Sequence, residues 1–319
     1  MAEFKRNAEV KWALGIAAFA LIALFVVGCS NGAVTRSDTE HHVIKATTTI
    51  GMISDIVKQV GGENVEVTGL MKAGVDPHLY KASQGDIKLL DHADIIFYNG
   101  LHLEGKMVEI LEKIGESKPT VAVSDSIDPK TLRSGDQTGT QYDPHIWFNV
   151  QHWMKATEKV RDTLIELAPD HKAVFESNAE AYLKQLKELD QYAKDQIASI
   201  PEASRVLVTA HDAFGYFGDA YGIEVMGLQG MSTASEYGSK DVSELRDFLV
   251  EKKIKAVFVE SSVPKKAIEA VIQGAKEKGH TIAIGGELFS DAMGPEGTPE
   301  GTYIGMVRHN VDTIVKALK

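Results

Sequence analysis

Residues 44–70, IKATTTIGMISDIVKQVGGENVEVTGL, set a short β-branched run, a helical pattern and a second β-branched run in succession. The strands expected are 44–50 and 65–70, with a helix over 53–60 between them. The same alternation continues outward, with strands at 94–98 and 120–123 and helices over 84–92 and 105–114. Strands separated by helices imply a mostly parallel sheet covered by those helices. The grammar resumes after Ser204, with strands at 205–210, 224–228, 256–260 and 281–284 and helices over 213–221, 242–252, 265–278 and 301–318.

Between the two alternating regions, Phe175, Ala179, Tyr182, Leu186, Leu189, Ala193 and Ile197 recur at spacings of 4, 3, 4, 3, 4 and 4. That is the apolar stripe of one long amphipathic helix. Pro169 suits its first turn and Pro201 stops it. A helix of some thirty residues reaches about 45 Å, enough to run the length of a two-lobed molecule. The fold class expected is therefore α/β, with two lobes, each a mostly parallel sheet flanked by helices, joined by one long rigid helix. The expected divisions are a leader at 1–28, a tether at 29–43, an N-terminal lobe at 44–168, the linking helix at 169–200 and a C-terminal lobe at 201–319.

The leader has a basic start in Lys5, Arg6 and Lys11, followed by an uncharged apolar run over 12–27. That run is short for a membrane span and fits a signal h-region. It ends in Val26-Val27-Gly28-Cys29, which resembles a lipobox, where bacteria attach diacylglycerol to the cysteine and cleave before it. Cys29 is the sole cysteine, so it forms no internal disulfide and the folded part offers no thiolate to a metal. A net charge of -11, or -12 once residues 1–28 are removed, argues against nucleic acid and favours a cationic ligand.

The chemistry concentrates in histidines. Asp-Pro-His occurs at Asp76-Pro77-His78 and again at Asp143-Pro144-His145, where ordinary residue usage gives about 0.02 copies in a chain of this length. Each proline fixes the backbone just ahead of an imidazole. His78 follows the strand at 65–70, and His211 follows the strand at 205–210. Ligands in open α/β sheets bind beyond such carboxyl ends. Asp291, in the loop after the strand at 281–284, is the fourth candidate. Three imidazoles and one carboxylate leave zinc, manganese and ferrous iron all open. The spacings of 67, 66 and 80 residues mean that only the fold can unite the four. Asp76, Asp143, Glu260 and Glu287 are expected to orient loops or imidazoles. His92, His102, His152, His171, His280 and His309 are expected to be structural or solvent-facing.

Gly74-Val75-Asp76-Pro77-His78, Asp143-Pro144-His145-Ile146-Trp147, Thr209-Ala210-His211-Asp212-Ala213-Phe214 and Gly286-Glu287-Leu288-Phe289-Ser290-Asp291-Ala292-Met293-Gly294 together resemble the metal-binding lipoproteins of cluster 9 ABC importers. The resemblance covers the chain beyond the leader and includes the lipobox and the long helix. It implies His78, His145, His211 and Asp291 as direct metal ligands and lipidation at Cys29. It further implies capture of a divalent transition metal at the outer face of the bacterial cytoplasmic membrane and delivery to an ABC permease, with a monomer expected. Residues 81–100 contain one histidine, His92, instead of the long His- and acid-rich loop of the zinc specialists. The stretch 76–107 looks most like the manganese receptors. Mn2+ is thus the expected cargo, with Zn2+ or Fe2+ as alternatives.

Two other classes are weaker. A zinc hydrolase needs an open coordination position and a nearby base, commonly in His-Glu-x-x-His, and the chain has no such motif. A surface adhesin is compatible with an anchored acidic lipoprotein of this family, yet nothing in the chain marks an adhesive surface. The expectation is a receptor, not an enzyme.

Overall fold

Parallel pairing of β1 (Ile44–Thr48) with β2 (Val65–Gly69) and with β3 (Ile95–Tyr98) starts a sheet of order β2-β1-β3-β4, closed by the short β4 (Thr120–Ala122). Ile44 lies opposite Val65, and Ala46 opposite Ile95. The computed structural model describes residues 43–135 and 141–319. The leader at 1–28, Cys29 and the tether as far as His42 lie outside the described residues. Three helices belong to this first half: α1 (Gly51–Gly61), α2 (Gln84–His92) and α3 (Val108–Gly115). Ser83 opens α2 with a capping box, accepting from Asp86 N–H while Asp86 accepts from Ser83 N–H.

Helix α4 (Val150–Leu167) has no counterpart among the elements expected from sequence. Asn149 caps it by accepting from Gln151 N–H at 2.9 Å, and it buries Trp153, Ala156, Val160 and Leu164. The chain then turns at Pro169–His171 into α5 (Lys172–Ala198), which packs along α4. Every residue of the expected apolar stripe of α5 is buried. Its 27 residues span about 40 Å.

The second half contributes β5 (Val206–His211) paired with β6 (Glu224–Gln229), and β7 (Ala256–Glu260) paired with β8 (Ala283–Leu288), all parallel. β5 runs beside β7. Helices α6 (Gly215–Tyr221), α7 (Ser239–Glu251), α8 (Lys266–Glu277) and α9 (Tyr303–Leu318) complete it. β8 extends past Gly285 and Gly286, where strand propensity is poor, because pairing with β7 decides the matter. The register slips between Val257 and Phe258 to allow it. Gly227 lies where β6 meets the end of β5. A Cβ there would stand 2.4 Å from Asp212 N and 2.6 Å from His211 C.

Helix α5 ties the halves together. It packs on α1 and α4 from the first half and on α6 and α9 from the second, and residues 43–319 form one compact unit. Asp55 on α1 accepts from Tyr182 Oη on α5 at 2.8 Å and from Tyr303 N–H on α9 at 3.3 Å. One buried carboxylate thus pins three helices. Because Leu186 is fully buried in this shared core, Leu186→Ala should lower the unfolding free energy by about 2–5 kcal/mol, read as a lower urea midpoint with an unchanged slope.

Candidate metal centre

Both Asp-Pro-His motifs fold the same way locally. Asp76 Oδ1 accepts from His78 N–H at 2.9 Å, and Asp143 Oδ1 accepts from His145 N–H at 3.0 Å. Each aspartate captures the amide two residues on, across a proline that has no N–H to compete. The imidazole is thereby fixed at its root. His78 sits in the loop after β2, and His145 precedes the single turn Ile146–Phe148. His211 is the last residue of β5, and Asp291 lies three residues beyond β8.

These four residues, far apart in sequence, converge. All are buried, and each offers a donor atom within 4.8 Å of the others. His78 Nε2 lies 3.4 Å from His145 Nε2. Asp291 Oδ1 lies 3.4 Å from His145 Nε2, and its Oδ2 lies 3.6 Å from His78 Nε2 and 3.3 Å from His211 Nε2. The three rings meet edge to face, with centroids 5.4 to 6.2 Å apart. Both oxygens of Asp291 and Nε2 of His211 are buried without a hydrogen-bond partner among the described residues. Buried polar atoms in that condition are costly unless a cation completes them.

Carboxylates stand behind two of the rings. Asp143 Oδ1 accepts from His145 Nδ1 at 2.7 Å, and Glu260 Oε2 lies 2.5 Å from His211 Nδ1. Glu260 Oε1 also accepts from His211 N–H at 2.9 Å. Holding Nδ1 in this way presents Nε2 to the centre and raises its basicity. Asp76 acts on its loop instead: its Oδ2 accepts from Thr233 Oγ1 at 2.6 Å, linking the His78 loop to the second half. Glu287, expected near the centre, is exposed and pairs with Lys265 at 2.8 Å. Thr233 and Arg133, the latter 3.6 Å from Asp143, carry no signal in the sequence. Of the six histidines set aside, His280 Nε2 donates to the Ile254 carbonyl at 2.6 Å, His309 Nε2 donates to Glu287 O at 3.0 Å, and His152 is packed edge-on to Tyr216. Trp147 walls the site, its ring 5.3 Å from that of His145 and its Nε1–H on Ser290 O at 3.0 Å.

The electrostatics favour positive charge. Burial opposes protonation of His145, but Asp143 and Asp291 outweigh it and push the imidazole up to about 9. Burial likewise opposes His211, and Glu260 with Asp291 hold it well above the usual imidazole value. For Asp291, burial pushes the carboxyl up, yet the imidazoles of His211, His145 and His78 hold it well below the usual carboxylate range. Lone pairs shared by so many carboxylates suit a divalent cation.

The family described as "Zinc-uptake complex component A periplasmic" (ZnuA) matches residues 47–317. The chain belongs to the ZnuA family. It is a substrate-binding protein of a metal ABC transporter, and its relatives are receptors, not enzymes. The manganese-binding lipoprotein MntA of Bacillus subtilis is 53% identical over 306 residues, covering 96% of this chain and 99% of its own. The zinc-binding protein TroA of Treponema pallidum is 51% identical over 271 residues, covering 85% and 87%. The solved structure of TroA superposes with a TM-score of 0.84 at 50% identity, covering 86% of this chain and 99% of that one. The ZnuA-family fold of this chain is thus the two-lobed α/β architecture with a long helix between lobes.

Two outcomes follow for this ZnuA-family receptor. Asp143→Asn and Glu260→Gln should each weaken metal affinity roughly 10–100-fold by releasing an imidazole, measured by titration of metal-free protein. Because the carboxylates push His145 and His211 above the usual imidazole value, protons compete with a metal for the centre. Affinity should therefore rise with pH up to about 9, by about tenfold per unit for each proton displaced. Calorimetry in buffers of differing ionisation enthalpy reads that proton release directly; an absence of release contradicts the electrostatics.

Proposed function

We propose that this receptor captures Mn2+ outside the cell between His78, His145, His211 and Asp291 and passes it to the permease of an ABC importer. The observation that carries the reading is the face Asp291 presents. Its Oδ1 is turned to His145 and its Oδ2 to His78 and His211, at 3.3 to 3.6 Å. A carboxylate with both oxygens inward adds two hard donors to three imidazoles, and a mixed N/O set above four donors suits manganese. The sole cysteine, Cys29, lies outside the described residues, so no thiolate among them competes for a softer ion. The 53% identity to a protein named for manganese supports the same cargo.

Zinc is the second reading, with ferrous iron behind it. A tetrahedron with metal–nitrogen bonds of about 2.1 Å has edges of about 3.4 Å, close to the separations in this centre, and TroA is named for zinc. Zinc also outranks manganese in intrinsic affinity at almost any N/O site. Selectivity in the cell then comes from carboxylate geometry, release to the permease and metal supply. In this reading Cys29 carries the lipid and residues 29–43 tether a monomer to the outer face of the bacterial cytoplasmic membrane. The lobes, divided at 44–168 and 201–319, each contribute two ligands.

Elemental analysis of protein isolated from its native envelope tests the cargo. One manganese per chain is the expected result, and stoichiometric zinc in its place replaces the first reading by the second. In competition titration, zinc should displace manganese from the isolated protein.

A further inference from the structure

The carbonyl of Pro144, one residue ahead of His145, accepts a hydrogen bond from Asn99 Nδ2 at 2.9 Å. Asn99 lies just past β3, wholly buried, and its amide also donates to Gly100 O at 3.0 Å. What fixes Asn99 is Glu104. The Glu104 carboxylate is buried and gathers three donors: Thr49 Oγ1 at 2.6 Å and Asn99 N–H at 2.7 Å on Oε1, and Gly100 N–H at 3.2 Å on Oε2. The backbone curls around it with positive φ at three consecutive residues, Gly100 (85°), Leu101 (54°) and His102 (63°).

Left-handed residues with side chains persist only where the surroundings over-determine them, and inward-turned successive N–H groups form a nest for an anion. Here a carboxyl group of the chain itself takes that place: burial pushes Glu104 up from its usual range, and Thr49 Oγ1 with the Asn99 and Gly100 amides pull the other way. Gly100 admits no side chain, because a Cβ there would stand 2.5 Å from Ser124 Oγ and 2.9 Å from Ala122 Cβ. An apolar turn would close this corner without burying an ionisable group. The carboxylate adds a fixed direction for Asn99, and through it for the Pro144 carbonyl. From the other side, Tyr216 Oη donates to Asp143 O at 2.9 Å. The two carbonyls that precede His145 are thus pinned by different elements, while Pro144 has no N–H to offer.

We propose that Glu104 and Asn99 are positioning residues for the metal centre, a strut from β3 to the Pro144 carbonyl that sets where His145 Nε2 stands relative to Asp291. The strut governs how long a cation is retained. It rests on His145 being a metal ligand, the reading given under Proposed function.

Cobalt(II), whose visible absorption reports coordination geometry, is the probe. In Asn99→Ala, and in Asn99→Asp, which keeps the side-chain shape if alanine prevents folding, the cobalt spectrum should change and cobalt should dissociate about tenfold faster. Glu104→Gln should change the spectrum in the same direction. Leu186→Ala, remote on α5, should lower thermal stability and leave spectrum and dissociation rate as in the parent protein. An unchanged spectrum and rate in both Asn99 variants overturns the strut. Cobalt binding that survives His145→Ala overturns the ligand assignment beneath it, a separate failure.

Discussion

The interaction on which the rest of the structure depends is a buried carboxylate, Asp291, set against three buried imidazoles. Apolar surroundings oppose charge on any of them. The arrangement therefore holds only because opposite charges stand within 3.3 to 3.6 Å and because Asp143 and Glu260 back two of the rings. An excess of carboxylate over fixed cation is left at the centre, with Arg133 as the nearby guanidinium on Asp143. That excess of negative charge suits a cation.

The four residues of the centre come from four separate stretches of the chain. His78, His211 and Asp291 lie at or beyond the carboxyl ends of β2, β5 and β8, where strands stop and loops can be shaped without disturbing the sheets. His145 is the exception, carried by a loop between β4 and α4. It is also the member of the cluster whose loop has backbone support from Asp143, Asn99 and Tyr216.

Much of this was legible in the sequence, for identifiable reasons. Alternating β-branched runs and helical stripes are local signals, so most strands and helices appear within a few residues of where the pattern puts them. The doubled Asp-Pro-His is local as well: aspartate, proline and histidine build the amide-capturing turn by themselves. Helix α4 was missed although Asn149 and the buried Trp153, Val160 and Leu164 give it a cap and a stripe. Helix α3 starts at Val108, later than expected, with a run of turns between the positive-φ residues 100–102 and its first residue. The supports of the centre are another matter. Glu260 could be noticed as a carboxylate at a strand end, but Thr233, Arg133 and Asn99 act across separations that leave no periodicity. Glu287 looked equivalent to Glu260, yet it is exposed and paired with Lys265.

Helix α5 places Ile44 of the first strand and Ile314 of the last helix in one continuous apolar cluster. Tyr303, near the start of that last helix, donates to Asp55 near the start of the fold. A chain built this way has high contact order, and its early segments cannot reach their final packing before its end has been made. The leading half therefore carries unsatisfied apolar surface until the last helix is available to cover it. The four buried residues of the centre, from His78 to Asp291, lie along that same length of chain and meet only when both halves share one core.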